Sequence, residues 1–217
     1  MLALYFKHAG FNTFQLIMNN KKPILPDNID AIIFDLDGTL ADSMPMHRNA
    51  WMNAIDKYNL ICPPEEMQQF AGLSTYKIAG EVLKRFNPNR TRPAPMELAN
   101  VKIEEFEKLH SQVKPIDLIV DIAKDNFRKI PMAVGTGGTR ATASKTLEIL
   151  NLDKYFEVLV AAEDVENHKP EPDTFIKCAS LMNVNPAKCV VFEDGDRGIE
   201  AAKRAGMKVI DVRNYLS

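Results

Sequence analysis

The sequence has little net charge, few cysteines and no long apolar run, and each shortage removes a class of protein. Lysine and arginine number 27 against 29 aspartates and glutamates, a formal charge of −2. That leaves no basic footprint for nucleic acid and no polybasic patch for a membrane surface. Cysteine occurs only at Cys62, Cys178 and Cys189, an odd number without CxxC spacing, which argues against a disulfide framework. Cys189 opens the apolar run "CVVF" and reads as a small buried hydrophobe. No stretch approaches the roughly 20 apolar residues of a membrane span. The opening "MLALYFKHAGFNTFQLIMNN" begins like a secretion signal, but Lys7 and His8 interrupt it and no small-residue cleavage site follows. Residues 1–28 are read as an N-terminal extension, helical or irregular, on a cytoplasmic protein that is a monomer or weak oligomer.

What is present is a rhythm that changes twice along 217 residues, a length that suits one large domain or a core with a smaller companion. "AIIFDLD" reads as a buried strand, and Ser43 then stands as an N-cap with Pro45 in the first turn. Ala50, Trp51, Ala54, Ile55 and Tyr58 recur at helical spacing. Up to about residue 112 only helical segments follow, such as "YKIAGEVLKRF" and "ELANVKIEEFEKLH", parted by the loop "NPNRTRPAP". After Lys114-Pro115, helices alternate with the strands "PMAVGT", "EVLVAAE", "CVVFED" and "KVIDV". That alternation predicts a parallel sheet with right-handed crossovers. The chain is therefore expected to be α/β, a Rossmann-like parallel sheet formed by residues 29–44 and 113–217, with an all-helical insert at 45–112.

The chemistry collects at the strand ends, where open α/β sheets bind their ligands. Asp35 and Asp37 point to the same side of a strand, and their mutual repulsion calls for a cation or a shared proton. Thr136 with Gly137 and Gly138 ends a second strand, Lys169 in "NHKPEP" follows a third, and Glu193 with Asp194 ends a fourth. Asp35, Asp37 and Asp194 are hard oxygen donors suited to Mg²⁺. Thr136 and the amides after it suit an anion, unless Thr136 only caps the next helix, and Lys169 adds a positive point charge. Metal, anion cradle and a carboxylate free to attack together imply phosphoryl transfer through an aspartyl-phosphate.

The motifs "DLDGT", "VGT", "HKP" and "FEDGD", in that order, resemble those of the haloacid dehalogenase superfamily, and the early insert resembles the helical cap of its β-phosphoglucomutase-like branch. The resemblance implies Asp35 as nucleophile and Asp37 as general acid and base, with Thr136, Gly137 and Lys169 on the phosphoryl oxygens. It implies Mg²⁺ held by Asp35, Asp37 and Asp194, with Glu193 in the metal site or just behind it, and Asp196 as a solvated turn residue. His47 falls on the apolar face of its helix, as a core histidine would, yet in this branch a histidine four residues before a tryptophan faces the active site. Tyr76 and Lys77 are placed on the cap surface, with Lys77 as a substrate contact. Mutases of this branch carry an arginine where Thr75 stands, so the resemblance runs closer to sugar-phosphate phosphatases of the fructose-1-phosphate and 6-phosphogluconate type. A small phosphorylated sugar is the expected substrate; a β-phosphoglucomutase is the alternative, and a non-catalytic binding or regulatory module of the same fold a remote one.

Overall fold

The computed structural model describes residues 22–70, 73–88 and 93–216; the helical or irregular reading of residues 1–21 lies outside them. The strand β1 (Ala31–Phe34) is buried along its whole length, as a central parallel strand covered on both faces must be. It lies between β4 (Met132–Gly135) and β6 (Cys189–Glu193), with Ile33 opposite Ala133 on one side and Val191 on the other. Together with β5 (Val158–Val160) and β7 (Lys208–Asp211) they form a parallel sheet of order β5-β4-β1-β6-β7. The alternation of side chains sends Ile32, Phe34, Val134 and Phe192 into one apolar cluster, and Ala31, Ile33, Ala133 and Val191 into another. The helices α4 (Asp117–Asn126), α5 (Arg140–Ile149), α6 (Asp173–Leu181) and α7 (Asp196–Arg204) make the connections. The chain builds outward from β1 on one side and then returns past it to the other, so the carboxyl end of β1 is the switch point where a ligand crevice opens.

The insert is built from α1 (Met44–Lys57), a 3₁₀ turn (Pro64–Phe70), α2 (Thr75–Phe86) and α3 (Pro95–Leu109). Trp51, Ile55, Phe70, Val82 and Leu98 close an apolar cluster of its own, which is why a purely helical segment can stand apart from the sheet. Its two crossings to the core run side by side as a short antiparallel ribbon, β2 (Ala41–Asp42) against β3 (Lys114–Pro115). Two-residue strands carry no periodicity, and the ribbon was not legible in the sequence. Phe106, from the end of α3, reaches into the cluster of the core.

Two local departures have physical causes. "EVLVAAE" stays extended only through Val160, because the Asp164 carboxylate accepts the Ala161 N–H at 2.8 Å and turns Ala162–Asp164 into a 3₁₀ turn. Ser43 occupies the N-cap position of α1, but its hydroxyl accepts no hydrogen bond from the helix N–H groups. It is engaged by the site described next.

Candidate active site

Lys169 is the centre of charge at the crevice. Its ammonium donates to Asp35 Oδ1 at 2.6 Å, to Glu193 Oε2 at 2.7 Å and to the Gly135 carbonyl at 3.2 Å, with the Phe175 ring behind it. Burial opposes its charge, but the two carboxylates outweigh burial and hold it above the usual lysine range. Asp35, by contrast, is pushed well above the carboxylate range by burial and by the Glu193 charge, against the pull of Lys169. Asp194 is pushed up to about 7 by burial and by Glu193.

The local sequence explains how these carboxylates come so close. Gly38 has φ +89°, and a Cβ there would lie 2.2 Å from Asp194 Oδ2, so the turn after β1 needs glycine for conformation and for space. Thr39 donates its hydroxyl to Asp194 Oδ1 at 3.1 Å. Glu193 has both oxygens engaged, Oε2 by Lys169 and Oε1 by the Gly195 N–H at 2.9 Å. A Cβ on Gly198 would sit 1.9 Å from Glu193 Oε2, so the first turn of α7 is hollowed for that side chain.

Asp35, Glu193 and Asp194 each offer an oxygen within 4.8 Å of the others. A crowd of hard oxygen donors in which burial and the Glu193 charge raise the proton affinity of Asp35 and Asp194 fits Mg²⁺, which would relieve the repulsion. Lys169 takes only one oxygen of Asp35, whereas each Glu193 oxygen already accepts a hydrogen bond, so Asp35 and Asp194 have the freer oxygens and Glu193 is held by Lys169 and the Gly195 amide.

Asp37 lives in the opposite setting. Its Oδ1 accepts from the Ser43 hydroxyl at 2.5 Å and from His47 Nε2 at 3.0 Å. Lys102 Nζ lies 2.7 Å from His47 Nδ1; an ammonium only donates, so Nδ1 accepts and Nε2 carries the hydrogen given to Asp37. The His47 ring is stacked on Phe106, centroids 4.0 Å apart and planes within 6°. Burial works against the charge of Asp37, but His47, Ser43 and Lys102 outweigh it and hold Asp37 well below the usual carboxylate range. Burial and the Lys102 charge lower His47, and burial pushes Lys102 down to about 8, so the pair shares one positive charge beside Asp37.

Thr136 is buried, its N–H on the Val160 carbonyl at 2.9 Å and its Oγ1 accepting the Gly138 N–H at 3.0 Å. Thr139, not Thr136, caps α5, which leaves Thr136 to the cavity. That cavity, about 160 Å³, has Asp35, Asp37, Thr136, Gly137, Lys169, Glu193 and Asp194 on its core side. His47, Arg48, Trp51, Thr75 and Lys102 are among its lining on the cap side.

The structure thus brings the expected core residues and His47 together. Lys77 does not line the cavity: it is exposed on the first turn of α2, where its charge is felt by His168. Tyr76 is exposed as well, and Asp196 is 88% exposed in an ion pair with Arg213, the solvated role expected of it. Sequence reasoning missed Ser43, Arg48 and Lys102. Lys102 had a signal, since it interrupts the apolar stripe of α3 formed by Leu98 and Phe106 at four-residue spacing.

Comparison with known proteins gives the family and the fold. The model of the family described as haloacid dehalogenase-like hydrolase matches residues 32–212. The chain is 43% identical to the fructose-1-phosphate phosphatase of Escherichia coli K12 over 84% of this chain and 96% of that protein. It is 30% identical to a phosphorylated carbohydrates phosphatase of Thermotoga maritima over 84% of each. The crystal structure of CbbY from Rhodobacter sphaeroides in complex with phosphate superposes with a TM-score of 0.76 at 24% identity, covering 83% of this chain and 84% of that one, a likeness of fold.

Proposed function

The chain belongs to the haloacid dehalogenase-like hydrolases, and from that premise we propose that it hydrolyses small phosphorylated sugars through a phosphoryl group carried on Asp35. The observation that carries the reading is the division of the site into two electrostatic halves. Asp35, Glu193 and Asp194 crowd around Lys169, while two residues on, Asp37 is held by a separate chain of hydrogen bonds through His47 to Lys102. One half suits phosphoryl transfer and the other proton transfer.

In this mechanism the phosphoryl oxygens rest against Lys169, the Thr136 hydroxyl and the amides of Gly137 and Gly138. Asp35 attacks phosphorus, the bond to the sugar oxygen breaks, and Asp37 gives that oxygen its proton. Water then attacks the phosphorus, Asp37 takes its proton, and phosphate leaves with Asp35 restored. The ionised Asp37 of the resting site is ready for the second half. For the first half it must hold a proton, and an arriving phosphate dianion raises its proton affinity by bringing negative charge alongside. Mg²⁺ held by Asp35 and Asp194, with the Asp37 carbonyl, would neutralise charge on the phosphoryl oxygens and keep Asp35 ionised. His47 and Lys102 position Asp37, and the helical cap, residues 45–112 in this reading, excludes bulk water.

The test is release of inorganic phosphate from fructose 1-phosphate, 6-phosphogluconate and p-nitrophenyl phosphate with Mg²⁺ present. Turnover of at least one sugar phosphate is expected; no phosphate from any of the three would end the proposal.

A further inference from the structure

One face of α1 looks into the cavity: Met44, His47, Arg48 and Trp51, at the i, i+3, i+4, i+7 spacing of a helical stripe. His47 serves Asp37, and Trp51 is 4% exposed, packed in the cap beneath the Lys102 ammonium. Arg48 has no such engagement. It is exposed and makes no hydrogen bond or ion pair with any described residue, whereas Arg85, Arg140, Arg204 and Arg213 each hold a carboxylate.

The rest of the cap wall gives this guanidinium a role. Met67, Phe70, Leu73 and Ile78 make it apolar; among the described residues Thr75 is its one hydroxyl, and Lys102 already donates to His47. The core side serves the phosphoryl group, so the leaving group faces this wall. A leaving group rich in hydroxyls loses water on entering, and each hydrogen bond left unreplaced weakens its binding. Arg48 carries five donors in a planar fork, which reaches two neighbouring hydroxyl oxygens as readily as a carboxylate. The surrounding charge decides between those partners. Asp35, Asp37, Glu193 and Asp194 share the cavity; Lys169 is taken up by Asp35 and Glu193, the positive charge of His47 and Lys102 is matched by Asp37, and the phosphoryl group adds more negative charge. A second anion would enter among like charges, while hydroxyls meet no such opposition.

Resting on the phosphatase reading, we propose that Arg48 determines specificity: it donates to hydroxyl oxygens of a polyhydroxylated leaving group and so selects phosphorylated sugars over phosphomonoesters with apolar leaving groups. Arg48→Met keeps the aliphatic stem and removes all five donors; Arg48→Lys keeps charge without the fork. The readout is kcat/KM, with Mg²⁺, for fructose 1-phosphate, 6-phosphogluconate and p-nitrophenyl phosphate, each variant first checked for an unchanged melting temperature. In Arg48→Met the ratio of fructose 1-phosphate to p-nitrophenyl phosphate should fall at least about tenfold, roughly 1.4 kcal/mol. The loss should lie mainly in KM, with Arg48→Lys intermediate. A ratio unchanged within about twofold overturns the proposal. A larger loss on 6-phosphogluconate than on fructose 1-phosphate overturns it too, making Arg48 an anchor for a second anion. Wild-type protein that cleaves p-nitrophenyl phosphate but neither sugar phosphate removes the Arg48 assignment while leaving phosphatase chemistry standing; inactivity on all three removes both.

Discussion

Asp35 and Asp37 differ by one intervening residue and by everything around them. Asp35 is crowded by acids, Asp37 is held by a histidine and a lysine. Replacing Asp35 by Asn preserves shape while removing the attacking charge, so turnover on any phosphomonoester should fall at least about 10³-fold, roughly 4 kcal/mol, with the melting curve retained. Residual activity above about a tenth of wild type would refute the nucleophile assignment. Lys102 leads to a prediction of opposite sign for stability. Its pKa, pushed from 10.5 to about 8 by burial, means that the folded protein binds fewer protons than the unfolded chain between those values. Stability therefore rises with pH across that window, and below it the buried charge is a standing penalty of about 3–4 kcal/mol. Lys102→Met should melt several degrees higher than wild type at pH 7 while losing most activity, because His47 then loses its partner. The difference in melting temperature should narrow as pH rises from about 8 towards 10.5. A variant less stable than wild type at pH 7 would show that the bond to His47 outweighs the burial penalty.

At the scale of elements, the site depends on how closely a helix can start beside a strand end. Gly198 in the first turn of α7 leaves room for Glu193, and a Cβ there would stand 1.9 Å from its carboxylate. Gly198→Ala should destabilise by about 1–3 kcal/mol despite alanine's better helix propensity. It should also lower kcat, since a displaced Glu193 releases Lys169. Gly80 in α2 is the control: nothing lies within 4 Å of a Cβ placed there. Gly80→Ala should stabilise by about 0.5–1 kcal/mol and leave kcat unchanged. Chemical denaturation and steady-state rates of the two variants check the contrast; equal stability changes would show that the Glu193 contact is relaxed by a small shift of α7. The β2–β3 ribbon belongs to this scale as well, since it lets α1 and α3 enter and leave the core at one place and so brings His47 and Lys102 to the same carboxylate.

For the whole molecule, the proposed Mg²⁺ would act on stability as well as on turnover, because the three acids that would hold it repel one another. Added Mg²⁺ should raise the melting temperature of chelator-stripped protein, and Asp194→Asn should abolish that rise; binding to the folded state alone stabilises by mass action. Equal melting with and without saturating Mg²⁺ would remove the metal site. EDTA should likewise abolish turnover and Mg²⁺ restore it, with Ca²⁺, which prefers looser and higher coordination, restoring little. Phosphatase and mutase part over the acceptor of the phosphoryl group. With β-glucose 1-phosphate and glucose 1,6-bisphosphate, inorganic phosphate should form faster than glucose 6-phosphate. Glucose 6-phosphate forming about tenfold faster than phosphate, roughly 1.4 kcal/mol of partitioning, would make the mutase the better description.

The strands of the parallel sheet, the helices between them and the all-helical insert were legible in the letters alone, though the β2–β3 ribbon was not. Legible too were the residues that the sheet gathers at its carboxyl edge. The reason is local: Asp35, Asp37, Thr136, Lys169 and Asp194 follow strands or their loops, and a parallel sheet gathers strand ends at one edge whatever the detail. The glycines at 38 and 198 were visible as letters, but their necessity appears only when Asp194 and Glu193 arrive from a distant strand. The cap half was decided by tertiary structure. His47 was open between core and active site, because its face of α1 is both; only the approach of α3 put Lys102 behind it and Phe106 beneath it. Arg48 lines the cavity and Lys77 does not for the same reason. Which exposed cation meets a ligand depends on how α1 and α2 are rotated over the sheet, and helical periodicity fixes faces without fixing what those faces meet.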